Sequence, residues 1–209
     1  VQKVIPAILE QDPAETKRKL ELLKGSTEWV QVDIMDGKFV EGITHKVREI
    51  PEGAKNFKLE IHLMVERPEE HLAECKAVGA NRVFFHLHGA ENPARVLRAM
   101  EAYEFERGIS LNPETGTGEL APYVADLHAV LLLSVHPGLQ GREFLPSVLD
   151  KIKEVRALNP LLLVGMDGGI GEGNIRQVFG AGADYVAVGS GIWRSSNPQE
   201  TLKTLEQMV

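Results

Sequence analysis

A single cysteine, Cys75, stands among 209 residues. One thiol excludes an internal disulfide, and nothing pairs it with metal-ligand spacing. It falls in an expected helix, where it reads as a packing residue. Basic charge is short as well: 23 Lys and Arg face 30 Asp and Glu, a net charge of −7. That balance leaves no basic footprint for nucleic acid, which is excluded as a partner. An anionic ligand must then be held by local groups, against the overall field. Long apolar runs are also missing. The run at 129–134 falls far below the roughly 20 residues of a membrane-spanning helix, so no membrane partner is expected. Residues 1–6 lack the charged-then-apolar pattern of a secretory signal, and the expected compartment is cytoplasmic.

What the chain does have is alternation. Short β-rich runs are expected at 3–9, 28–34, 57–65, 82–87, 107–111, 129–135, 161–166 and 185–188. Helical stretches follow most of them, at 12–24, 68–78, 93–103, 119–124, 145–158, 173–181 and 198–209, with only a weak one near 46–50. Asp12 followed by Pro13 is a helix start. Leu161–Val164 and Ala129–Leu133 are apolar without alternation, as in strands buried on both faces. Strand–helix alternation implies a parallel sheet. Units of about 26 residues fit a single-domain (β/α)8 TIM barrel of roughly 200 residues or slightly more; an open doubly wound sheet is the alternative. Two glycine turns, Gly79 and Gly182, precede strands and belong to the scaffold.

Such barrels work at the C-terminal ends of their strands. There the sequence places Gln31-Val32-Asp33-Ile34-Met35-Asp36-Gly37, His62-Leu63-Met64-Val65, His86-Leu87-His88, Ser134-Val135-His136-Pro137-Gly138, Asp167-Gly168-Gly169 and Gly189-Ser190-Gly191. Glycines after the last two strands let backbone N–H groups approach an anion, and a helix start there adds positive potential. Asp33, His62 and Asp167 come from three strands and can converge. Two carboxylates and an imidazole can hold a divalent metal; two carboxylates on opposite sides of a carbon can also trade a proton.

In order and spacing these segments resemble the ribulose-phosphate 3-epimerase family, from Ile5-Pro6 to Ile192. The resemblance implies an isomerase that interconverts ribulose 5-phosphate and xylulose 5-phosphate in a homo-oligomer. It implies Asp33 and Asp167 as the catalytic acid–base pair and, with His62, as ligands of zinc, manganese or iron. Met35 would border the enediolate. Gly138, Gly141, Gly168, Gly169, Gly189 and Ser190 would surround the phosphate.

The departures from the family pattern cluster at the rim. Gln31 stands where the family has a fourth ligand, a His; Gln31, as a weaker ligand, or water is expected to fill that place. Ala7 replaces a Ser, Glu41-Gly42 a Pro-Asn, and His88 a Glu. The phosphate loop reads Pro137-Gly138-Leu139-Gln140-Gly141-Arg142. Arg142 can meet phosphate or a sugar acid, and His88 and His136 are further candidates for substrate contact. Three readings remain open from the residues: a working epimerase, an isomerase of a related ketose phosphate, or a noncatalytic phosphosugar-binding homologue without metal.

Overall fold

Side-chain alternation along each strand decides what points into the barrel. In the computed structural model, which describes residues 2–138 and 141–209, eight parallel strands close in sequence order: β1 Val4–Ile8, β2 Trp29–Met35, β3 Lys58–Met64, β4 Ala80–His86, β5 Glu106–Leu111, β6 Ala129–Leu133, β7 Leu163–Asp167 and β8 Tyr185–Val188. The ring is closed by β1 against β8, with Pro6 level with Val188. The (β/α)8 barrel expected from alternation is therefore the fold.

Helices cover the outside: α1 Pro13–Leu23, α2 Leu72–Ala77, α3 Pro93–Glu101, α4 Asp150–Leu158, α5 Ile175–Gly180, α6 Ser190–Trp193 and α7 Pro198–Gln207. The Asp12 side chain accepts from the Ala14 N–H at 2.8 Å and starts α1 as expected. Two connections lack a full helix, the first as expected and the second against expectation. The β2–β3 link holds only 3-10 turns, Val47–Glu49 and Glu52–Asn56, separated by Pro51. The stretch expected as a helix at 119–124 is a single 3-10 turn, Thr117–Leu120. Gly116 and Gly118 weaken helix there, and Pro122 supplies no N–H to continue it.

The apolar side chains divide by face. Val30, Val32, Leu59, Ile61, Val83, Phe85, Val130 and Val164 belong to the layer between sheet and helices. Ile5, Trp29, Phe84, Ala129, Leu131, Leu133 and Tyr185 form the smaller cluster inside the barrel. Two glycines make room for its rings: a Cβ on Gly108 would collide with Phe84, and one on Gly165 would stand 2.6 Å from the Tyr185 hydroxyl oxygen. Buried Glu60 accepts from Arg82 Nη1 at 2.8 Å and from the Tyr185 hydroxyl at 3.2 Å. The Arg82 guanidinium also packs over Trp29, 4.5 Å from the ring centre. Polar groups thus continue from the barrel interior up to its C-terminal rim.

Cys75 is buried in α2, and burial pushes its thiol up to about 12, so it packs and stays protonated. Among the described residues no helix is long and apolar enough to cross a membrane.

Candidate active site

Register brings the first two site residues together. On adjacent strands, Asp33 lies level with His62, and both side chains point inward. Asp167 ends β7 level with Leu133 and Ala187. His62 Nδ1 stands 3.1 Å from Asp33 Oδ1 and 3.7 Å from Asp167 Oδ2. One ligand atom from each of the three lies within 4.8 Å of the others. A cation about 2 Å from each donor brings its ligand atoms roughly 3 to 4 Å apart, so the trio fits one divalent ion.

Gln31 sits two residues before Asp33 and is fully buried. Its amide nitrogen donates to Asp33 Oδ1 at 2.8 Å and to Asp167 Oδ2 at 2.7 Å. The position expected to supply a fourth ligand oxygen instead presents N–H groups to both acids. Its Oε1 is buried without a hydrogen-bond partner.

A second histidine backs the first. His62 Nε2 and His86 Nε2 are 2.9 Å apart, so one proton lies between them. Burial alone would depress His62, but the hydrogen bond to Asp33 and the charges of Asp33, Asp167 and Glu60 raise it above its usual value. Burial, and then the charge of His62, push His86 well below its own. Of the two rings His62 is the more basic, so its Nε2–H is the donor toward His86 Nε2. The ring of Phe39 packs 4.8 Å from that of His86.

Burial, and then the charge of Asp33, lift Asp167 to about 7, against the opposing pull of His62 and Gln31. A 13% exposed edge gives this carboxyl contact with water. The Ser134 hydroxyl fastens the end of β7 by sharing its one proton between the carbonyls of Gly168 at 2.6 Å and Asp167 at 3.1 Å.

Asp36, the second acid of the β2 motif, has a different job. Its carboxylate accepts from the N–H groups of Lys38, Phe39 and Glu66. Burial acts to raise its pKa, but these bonds together bring it below the usual value. It anchors the loop that carries Phe39 over His86.

Above the acids opens a narrow cleft. Asp33, His62 and Asp167 line it, as do Gly138, Gly141 and Arg142 from one loop. Gly168, Gly169, Gly189 and Ser190 line it from the ends of β7 and β8. Gly169 has φ 63°, and a Cβ there would stand 2.8 Å from the Phe144 backbone nitrogen, so the chain can pass only as glycine. Asn174 ties this turn down by donating to the Gly169 carbonyl at 2.9 Å. Ala7, in place of the family Ser, also lines the cleft.

Three expected contacts lie elsewhere. Met35 is buried against Gly42, where a Cβ would stand 2.6 Å from its methyl carbon, and Met64 borders the cleft in its place. His88 is exposed and bonds Glu119 at 2.8 Å. His136 pairs with Glu114 at 3.3 Å and faces a neighbouring cleft that it shares with Arg142. Leu139 and Gln140 lie outside the described residues.

The residues that sequence reasoning missed are His86 and Arg194. His86 was legible as the inward polar residue that ends β4 and was named among the strand ends without a role. Arg194 follows α6 by one residue, and its guanidinium carbon would stand 2.8 Å from a Cβ on Gly141. Arg142 and Arg194 take no part in the arginine salt bridges of the described residues, which belong to Arg18, Arg48, Arg67, Arg82, Arg107 and Arg156.

Fold and site define the class: a (β/α)8 barrel enzyme whose acids meet at the C-terminal rim under a glycine-lined cleft. Residues 3–193 match the ribulose-phosphate 3 epimerase family, and the chain belongs to that family. It is 30% identical to the cytoplasmic isoform of ribulose-phosphate 3-epimerase from Oryza sativa subsp. japonica, over 99% of this chain and 94% of that protein. Identity reaches 34% with the ribulose-phosphate 3-epimerase of Aquifex aeolicus, over 90% and 87%. Among solved structures, a 3-hexulose-6-phosphate synthase superposes with a TM-score of 0.74 over 99% of both chains at 15% identity, a likeness of fold. The family's named members are epimerases acting on carbohydrates, and the chain is an isomerase of that kind.

Proposed function

We propose that this chain interconverts ribulose 5-phosphate and xylulose 5-phosphate by moving one proton at C3 between Asp33 and Asp167. The observation that carries the reading is the pair of carboxylates joined by one amide at the floor of the cleft. A substrate carbon lying between them meets an acid on each face. The ionised carboxylate takes the C3 proton, and the C–H electrons move into the C2–C3 bond and onto the C2 oxygen as the enediolate forms. The protonated carboxyl then delivers a proton to the opposite face. The raised pKa of Asp167, near neutrality, suits a group that must both hold and release that proton.

Asp33, His62 and Asp167 fit a divalent ion, and zinc, manganese or iron held there would supply positive charge to the substrate oxygens. The phosphate is held by Gly168, Gly169, Gly189 and Ser190, with Gly138, Gly141 and the guanidinium groups of Arg142 and Arg194 at the loop side. A noncatalytic binder would gain nothing from two acids facing an anionic ligand, which is why the enzymatic reading is preferred.

The test is turnover of ribulose 5-phosphate by wild type and by Asp167→Asn. Wild type forms xylulose 5-phosphate, and the variant loses at least about a thousandfold of the rate while keeping its circular dichroism. Near-normal turnover in the variant would sink the two-acid mechanism.

A further inference from the structure

We propose that Gln31 is a bridge between the two reacting carboxylates and a competitor of the cation, not one of its ligands. The inference rests on reading Asp33 and Asp167 as the acid pair.

Hydrogen-bond chemistry decides which end of the amide faces the acids. An amide carbonyl at 2.7 and 2.8 Å from two carboxylate oxygens would set acceptor against acceptor at Asp33, and at Asp167 as well whenever that acid is ionised. The NH2 group satisfies both oxygens, one N–H to each. Placed this way, the nitrogen has no lone pair to give a cation, because it is delocalised into the carbonyl. Gln31 therefore occupies the acids as a donor while offering nothing as a ligand.

The same two oxygens matter to a cation. Asp33 Oδ1 and Asp167 Oδ2 face both the Gln31 amide nitrogen and His62 Nδ1. A cation drawing on those oxygens must displace two charge-assisted hydrogen bonds. For Gln31 to become a ligand, its amide must turn over and bring Oε1 inward.

The bridging orientation has a cost that this barrel makes visible. In the bridging orientation Oε1 is buried without a partner. Level with Gln31 on β3 is Glu60, whose own Oε1 is also buried and unpartnered. The bridging orientation thus leaves an acceptor unsatisfied inside the barrel and is held by the two acids alone. A His in this position, as in the family pattern, has a ring nitrogen lone pair to offer. The change to Gln exchanges a ligand for a two-armed donor and leaves a three-residue cation site.

The experiment is zinc binding by calorimetry on chelator-stripped wild type and Gln31→Leu, with melting curves of both. It needs no turnover, so its failure is distinct from failure of the epimerase reading. Leu removes both donors and the carbonyl together. If Gln31 is a bridge, Q31L binds zinc as tightly as wild type or more tightly, and its stripped form melts lower than stripped wild type. If Gln31 is a ligand, Q31L binds zinc at least tenfold more weakly, and the proposal is overturned. If neither protein takes up zinc, the melting curves decide: equal melting of the stripped forms overturns the bridge, and a lower value for Q31L upholds it. Gln31→Met serves as a second variant with the same readouts should Q31L not fold. Gln31→His is expected to bind zinc at least tenfold more tightly than wild type; unchanged affinity overturns the view that Gln withholds a ligand.

Discussion

At the scale of the residue, the molecule is governed by how a few buried polar atoms satisfy one another. Asp167 keeps its proton to about 7 because burial and Asp33 both oppose its ionisation. A buried acid with a raised pKa makes the fold lose stability as pH climbs from the unfolded value near 4 toward 7, since the unfolded chain ionises first. Asp167→Asn removes this loss. In chelator-stripped protein the variant is expected to gain in melting temperature over wild type as pH rises across that window, with little difference near pH 4. A difference that stays constant with pH would contradict the assignment.

The proposed acid pair and His62 were legible in the sequence because each is an inward polar residue at or within two residues of the end of an apolar strand. The bridging role of Gln31 was not, since it depends on which end of an amide faces inward. His88 and His136 were misplaced for a related reason. Both stand at strand ends, but past the last inward position, where they pair with the exposed acids Glu119 and Glu114.

At the scale of the element, strand register and loop geometry place the groups. Arg194 reaches Gly141 because α6 is a single turn that returns the chain over the rim. Sequence order alone does not show this approach, since 53 positions separate the two. Arg194→Ala is expected to raise KM for a sugar phosphate by roughly 10 to 100-fold while leaving kcat within a few-fold, as for the loss of one charge-assisted hydrogen bond. An unchanged KM would remove Arg194 from the phosphate site.

β7 carries a different constraint. Gly165 leaves space for the Tyr185 ring, so Gly165→Ala should overpack the barrel interior and cost about 1 to 3 kcal/mol in chemical unfolding. A neutral effect would mean that Tyr185 can swing aside without loss. The strands were legible to within a residue or two because apolar runs bounded by helices leave little choice. The 3-10 turns after β2 and β5 were less so, because short links broken by Gly and Pro take their form from the strands they join.

At the scale of the whole molecule, the acidic chain binds its anion by local arrangement. The chain is acidic overall, at −7, while the cleft gathers glycines and Arg142 above the acid pair, with Arg194 against Gly141, and neither arginine joins a salt bridge among the described residues. The barrel separates stability from chemistry: the apolar layer between sheet and helices holds the ring closed, and the upper interior layer of Asp33, His62, His86 and Asp167 is left for reaction. The closed topology was legible because eight nearly even units leave no room for an open edge, and the resemblance at the rim motifs agrees with the family to which the chain belongs.

The most direct test of the central claim follows hydrogen at C3. Ribulose 5-phosphate is incubated in deuterium oxide with the enzyme, and the xylulose 5-phosphate formed is examined by NMR and mass spectrometry. Proton transfer through Asp33 and Asp167 predicts one deuterium at C3 of the product, and neither label nor product with Asp167→Asn. Product that retains its original C3 hydrogen would contradict the account.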